Sequence, residues 1–163
     1  MKVKVNKLTD YSLMKEAMEF TSGRDIKLNR ANMEWMYDAE HSPIRTQLFV
    51  VKMYEIPTYV SVHFVRHKVG IEHFVKSNRD KNIPIDRNTP VNHMMVLNSH
   101  ALMNMSHDRL CKTADKVTVQ VMNMIKGEIQ AVDSILANFL IPKCEYRGKC
   151  PERRGCNAIN NHS

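Results

Sequence analysis

The sequence predicts an α+β fold: a small mixed or antiparallel sheet with helices packed on it, one of them a long amphipathic helix toward the C-terminus. Three observations point there. Apolar residues recur at every third or fourth position through Val117, Val121, Met124, Ile125, Ile129, Val132, Ile135, Leu136 and Phe139, the period of a helix with one buried face. The runs Leu48-Phe49-Val50-Val51 and Val91 to Leu97 have the composition of strands. At 163 residues and 43% apolar content the chain is one domain's worth of protein, a size that buries roughly 68–70% of its unfolded surface.

The elements follow in order. Residues 2–5 alternate charged and apolar, as an edge strand does, and Thr9 or Asp10 caps a helix with Leu13, Met14, Ala17 and Met18 on one face. A second helix is expected over about 28–40, before the turn at His41-Ser42-Pro43. Leu48 to Val51 reads as a buried strand, and Pro57 suits the first turn of a helix. Thr58 to Lys68 is open between helix and strand, because its valines favour one and its length to Gly70 permits the other. Asp80 to Thr89 reads as a loop, Val91 to Leu97 as a short strand, and Asn98 or Ser99 as the cap of a helix through about His107. The long helix spans roughly seven turns and is closed by Pro142. Residues 1–142 form the domain; 143–163 form a basic, cysteine-containing tail.

Composition excludes several classes. Twenty-four Lys and Arg against 17 Asp and Glu leave a charge of +7, which calls for anionic partners. Five glycines, none spaced as a dinucleotide fingerprint or a Walker loop, leave side chains to hold any anion. No apolar run approaches the ~20 residues of a membrane span, and the first five residues lack the apolar stretch of a signal peptide, so a cytoplasmic protein without a membrane partner is expected. Tyr146 is the one aromatic among the tail's cations, too few for a nucleic-acid stacking platform. Cys111, Cys144, Cys150 and Cys156 form no Cys-x-x-Cys and are expected reduced. The three tail thiols with Cys111 or His162 make a set that zinc uses, yet the short knuckle spacing is absent and no metal is expected.

Two groups carry chemistry. Arg66-His67-Lys68 places cations around an imidazole, followed by Glu72, Ser77 and Arg79. Asn98-x-His100-x-x-x-Asn104 puts His100 and Asn104 one helical turn apart on one face, with Arg109 at the far end. Taken together and in this order, the groups resemble the flavin-dependent thymidylate synthases, over roughly residues 39–115 with motifs and more loosely elsewhere.

The resemblance implies methylation of dUMP to dTMP, or of another pyrimidine nucleotide, with FAD, NADPH and 5,10-methylenetetrahydrofolate, in a homotetramer whose active sites are shared between subunits. A non-catalytic flavin- or nucleotide-binding protein on the same fold is the alternative. By resemblance, Ser42, Arg66, His67, Lys68, Asn98, His100 and Asn104 contact flavin; His63, Arg66, Ser77, Arg79 and Arg109 contact the nucleotide; and Arg109, Ser77 and Glu72 act at the reacting pyrimidine. Activation by fixed cations that polarise the base is a role suited to arginine. Departures from the pattern are plain. Lys68 and His100 replace arginines, His63 a glutamine; the spacing from Lys68 to Ser77 is longer by one; Glu72 comes two positions early. Only 18 residues, Asp80 to Leu97, separate Arg79 from Asn98, where the family carries a longer insert, and Arg87 is the candidate to replace the phosphate-binding arginine of that insert.

Overall fold

The computed structural model describes residues 1–76 and 85–156. Strand β1 (Lys2–Lys7) leads to helices α1 (Tyr11–Ser22) and α2 (Arg30–Asp38), a 3-10 turn at Ser42–Thr46, and strand β2 (Leu48–Pro57). Helix α3 (Thr58–Val65) and strands β3 (Ile71–Val75) and β4 (Pro90–Asn98) follow. The chain continues through α4 (Ser99–Arg109), α5 (Lys116–Val132), α6 (Ser134–Phe139) and α7 (Lys143–Arg147). The fold is α+β, as expected.

The sheet has the order β1-β2-β4-β3 with every neighbouring pair antiparallel, so β1 is an edge strand. Its period-two pattern sends Val3, Val5, Phe49, Val51, Met53, Ile71, Val91, Met95 and Leu97 into the core. Met53 and Ile56 are both buried although two residues lie between them, a spacing that alternation would send to opposite faces, and a bulge between them restores the phase. Glu55 takes a left-handed conformation there (φ 55°), and its N–H donates to Asn92 Oδ1 at 3.1 Å. Helix α5 covers this face through Val121, Met122, Ile125 and Ile129 and packs along β1. On the other face Glu72 and Phe74 are exposed, and Val50, Met94 and Val96 are half-buried.

Local chemistry resolves the open points of the sequence. Asp10, not Thr9, caps α1, accepting from Ser12 N; Thr9 instead donates to the Thr46 carbonyl and accepts from Leu48 N. Asn98 caps α4, and the Ser99 hydroxyl donates to the Ile44 carbonyl at 2.6 Å. The segment after Pro57 is a helix, because both the Thr58 N–H and hydroxyl donate to the Thr89 carbonyl (3.0 and 2.7 Å) and turn the chain out of the sheet. Strand β2 runs on to Pro57, well beyond Val51, and β3 is a strand that the sequence pattern does not announce.

The long amphipathic helix also differs in one respect: its 17 residues stop at Val132, and the apolar pattern resumes in the separate α6. Asp133 stands at the break in an extended conformation (φ −155°, ψ 80°). Its buried carboxylate accepts from Lys7 Nζ (2.8 Å), Tyr11 Oη (2.5 Å) and Leu136 N (3.0 Å), so one side chain ties β1 and α1 together and caps α6. Burial and the nearby carboxylate push the Tyr11 phenol up, so it stays a donor. Removing one partner of a buried charge pair costs about 3–5 kcal/mol. Asp133→Ala is therefore expected to lose about 3 kcal/mol in urea denaturation, and a loss under about 1 kcal/mol would contradict this role.

Candidate active site

The turn after α3 carries the first motif. Arg66 takes the C-cap, and the chain reverses through His67, Lys68 and Gly70 into β3. Gly70 has φ 72°, and a β-carbon there would stand 2.6 Å from Asn98 Nδ2, so this position admits only glycine. The close approach lets the Asn98 N–H donate to the Gly70 carbonyl (3.2 Å), which docks the turn on the start of α4.

Beneath the turn runs a line of hydrogen bonds. His73 Nε2 meets the His67 carbonyl at 2.6 Å, His73 Nδ1 meets His93 Nε2 at 3.0 Å, and His93 Nδ1 meets Ser61 Oγ at 3.1 Å. A carbonyl only accepts, so His73 Nε2 is a donor, and with a single proton on each imidazole the direction of the rest of the line follows. His73 donates from Nε2, His93 donates from its own Nε2 to His73 Nδ1, and Ser61 donates to His93 Nδ1. Burial, and then the neighbouring His73, hold the His93 pKa down at about 4.

Above the turn the cations gather. Arg109, the last residue of α4, donates from Nε to His67 Nε2 at 3.0 Å, which requires a neutral His67 with its proton on Nδ1. Burial, and then the Arg109 charge, lower the His67 pKa. His63, on α3, is lowered by burial first, then by Arg109 against the opposing Asp115, then by Arg66 and Arg87. Three guanidinium groups from three segments therefore act on one imidazole. Arg87 lies over the Tyr59 ring at 4.7 Å. Among the described residues none of Arg66, Arg87 and Arg109 is in a salt bridge. His63 is held in turn: Thr118 Oγ1 donates to Asp115 Oδ1 (3.1 Å), so His63 Nδ1 donates to Thr118 Oγ1 (2.7 Å) and keeps a lone pair on Nε2.

The second motif sits at the other end of α4. Asn98 Oδ1 accepts from Ala101 N (2.9 Å) as the helix cap. His100 Nε2 pairs with Glu40 Oε2 at 3.0 Å, the Asn104 carboxamide lies 3.4 Å from the same nitrogen, and Ser42 and Asn104 are exposed. Glu40 Oε1 is buried without a hydrogen-bond partner, an acceptor to which a ligand N–H could donate. Nine residues of helix separate His100 from Arg109, about 13 Å of rise and half a turn of phase, so the two motifs leave α4 on opposite sides.

The structure thus brings His63, Arg66, His67 and Arg109 together and leaves Lys68 exposed beside them, with Ser42, His100 and Asn104 as a separate group and Asn98, against Gly70, joining the turn to it. Glu72 points to the open face of the sheet, opposite His73, and away from both groups. Ser77 and Arg79 lie outside the described residues. Ser61, His73, His93, Asp115 and Thr118 are participants that the motifs do not name. One signal was present for His93, which occupies the inward phase of β4 between Val91 and Met95, where a histidine needs buried partners.

No protein-family model matches the chain, and no curated protein matches it in sequence. Solved structures match its architecture. Thymidylate synthase X from Helicobacter pylori, complexed with FAD and dUMP, superposes with TM-score 0.70 at 10% identity, over 86% of this chain and 100% of that one. A second structure of the H. pylori enzyme with FAD and dUMP gives 0.67 at 12% identity, over 83% and 99%. The UMP/dUMP methylase PolB from Streptomyces cacaoi, bound with 5-Br dUMP, gives 0.67 at 11% identity, over 85% and 94%. The chain is an α+β protein built on one antiparallel sheet. Its particular fold is that of the flavin-dependent thymidylate synthases.

The depressed pKa of His93 has a consequence for stability. Above the ordinary value of 6.5 the folded and unfolded chains both hold this imidazole neutral; between 6.5 and about 4 only the unfolded chain binds the proton. Stability is therefore expected to fall as pH drops through that window, by about 1.4 kcal/mol per unit and about 3 kcal/mol in all from this group. Denaturation curves of the parent and His93→Gln between pH 7 and pH 4 measure it. The difference between the two should carry this slope, and parallel pH dependences would show that His93 is not responsible.

Proposed function

We propose that the chain binds FAD and a pyrimidine nucleotide, dUMP or a close relative, and methylates the base using 5,10-methylenetetrahydrofolate and NADPH. The observation that carries this reading is the convergence of Arg66, Arg87 and Arg109 on His63 with no carboxylate paired to any of them among the described residues. Three cations whose fields reach one imidazole favour an anion there, and a nucleotide phosphate with a polarised base carbonyl supplies one.

In this reading Arg109 holds the pyrimidine, with its guanidinium oriented by His67 through their hydrogen bond. Arg87 and Arg66 hold the phosphate, Arg87 taking the place of the absent insert's arginine. His63 offers its Nε2 lone pair to a base N–H, with the Thr118–Asp115 pair setting its tautomer. Ser77 and Arg79 join the nucleotide site on the strength of the motif alone. Flavin fits the other end of α4 in part. Ser42 and Asn104 present exposed polar groups and the orphan Glu40 oxygen is an acceptor, while the cations for a diphosphate, Arg66 and Lys68, would come from the Arg109 group of a second copy. Bound flavin in its reduced form would supply the electrons. Because α4 sends its two motifs to opposite sides, a complete site would take one group from each of two copies, in line with a homotetramer.

Two features favour a second reading, a protein that binds flavin and nucleotide without turnover. His100 is engaged by Glu40 where the family has an arginine, and Glu72 faces away from the cations.

A flavin spectrum titrated with a panel of pyrimidine nucleotides tests the proposal, with labelled one-carbon transfer from methylenetetrahydrofolate separating the two readings. FAD absorbance that changes on adding dUMP is expected. Its absence at saturating FAD and dUMP would end the proposal. Arg109→Ala should weaken nucleotide binding about ten- to a hundredfold, the loss of a charge-assisted hydrogen bond worth roughly 1.5–3 kcal/mol. Unchanged affinity would remove Arg109 from the site.

A further inference from the structure

All four cysteines of the chain come from separated stretches of sequence and line a single cavity of about 260 Å³ at the C-terminal end of α4. Cys111 follows directly on α4, Cys144 lies in the first turn of α7, and Cys150 and Cys156 lie in the tail beyond it. The tail folds back on itself here: a β-carbon at Gly155 would stand 3.0 Å from Cys150 Sγ, which brings the neighbouring Cys156 to the same place. All four thiols are free.

A second observation concerns His107, which lines the same cavity. Its ring is 4% exposed, stacks on Tyr146 at 4.4 Å between centroids, and leaves Nε2 buried without a hydrogen-bond partner. A buried unpartnered ring nitrogen is costly unless something takes it up. The tail has little apolar surface with which to hold itself down, Cys144 being the one buried residue described beyond Pro142.

We propose that this cavity is a structural site for a soft divalent cation, zinc, ligated by the thiolates of Cys111, Cys144, Cys150 and Cys156, with His107 Nε2 able to replace one of them. Zinc takes four sulfur or imidazole donors tetrahedrally, with Zn–S distances of about 2.3 Å, and this donor set has no other evident use. Among the described residues no three His, Cys, Asp or Glu side chains already stand in a metal-holding arrangement. Binding of the ion therefore requires the tail to carry Cys150 and Cys156 inward. Each ligating thiol releases its proton to solvent, and four thiolates around one zinc ion leave two net negative charges. Lys143 and Arg109 on the cavity wall, and Lys112 on the adjoining one, offset them against Glu152, which lines the same wall. Asp108, also on the wall, is engaged by Lys143. The ion would clamp the tail to the end of α4 that carries Arg109.

The test uses the full untagged chain purified under reducing conditions. Plasma mass spectrometry should find close to one zinc per chain after gel filtration, and a thiol reagent should titrate the cysteines fully only after a chelator is added. Replacing zinc by cobalt should give the intense sulfur-to-metal bands of a tetrahedral thiolate site. Because Cys150 and Cys156 lie in the tail outside the main core, the Cys150→Ser, Cys156→Ser double variant should keep its helical circular dichroism and lose the metal. Three results would overturn the proposal: a metal-free parent whose cobalt spectrum is that of the hydrated ion, metal content indifferent to the double variant, or a Cys150–Cys156 disulfide in the reduced preparation. None of these outcomes depends on flavin or nucleotide binding.

Discussion

A single backbone carbonyl organises the candidate site. The oxygen of His67 sits where the chain turns from α3 into β3, and it is satisfied by His73, which leans on His93, which leans on Ser61. Since the carbonyl cannot donate, His73 must, and the neutral His93 carries the line on to Ser61. Turn, strand pair and helix are locked in one relation, and the ring of His67 is presented to Arg109 as a neutral acceptor. Burial keeps the His93 ring neutral within the line.

The same turn concentrates positive charge. Arg66 caps α3 and Arg109 closes α4, both at helix C-termini, where the helix dipole favours cations. That preference, worth about 0.3–1 kcal/mol each, accounts for why two arginines are tolerated side by side, not for why a third, Arg87, joins them from the loop before β4. Tyr59 supplies the face on which Arg87 rests. Burial first, and then the neighbouring cations, drive the pKa values of His63 and His67 down, and Arg109 is lowered chiefly by burial, with Asp108 opposing and Arg66 adding to it. A site in this state has unspent affinity for an anion.

How much of this the sequence reveals depends on the range of the interactions. The caps Asp10 and Asn98 and the buried face of α5 are local patterns, and they stand out by spacing alone. The end of α5 does not, because Asp133 breaks the helix for the sake of Lys7 and Tyr11, more than 120 residues away. Strand β3, with Glu72 and His73 among its five residues, owes its conformation to pairing with β4 rather than to propensity. The cation motif is visible because Arg66, His67, Lys68 and Arg109 fall on a recognisable order. The residues that orient it are not, since Ser61 and His93 are 32 positions apart and His63 and Thr118 are 55 apart.

The central claim is that the cations around His63 hold the phosphate of a pyrimidine nucleotide. Calorimetric titration of the flavin-loaded protein with dUMP and with deoxyuridine isolates that group, the two ligands differing in the phosphate alone. Charge-assisted hydrogen bonds of about 1.5–3 kcal/mol give dUMP an advantage of at least tenfold, one that shrinks as salt is raised. Equal affinities for nucleotide and nucleoside at low salt would contradict it.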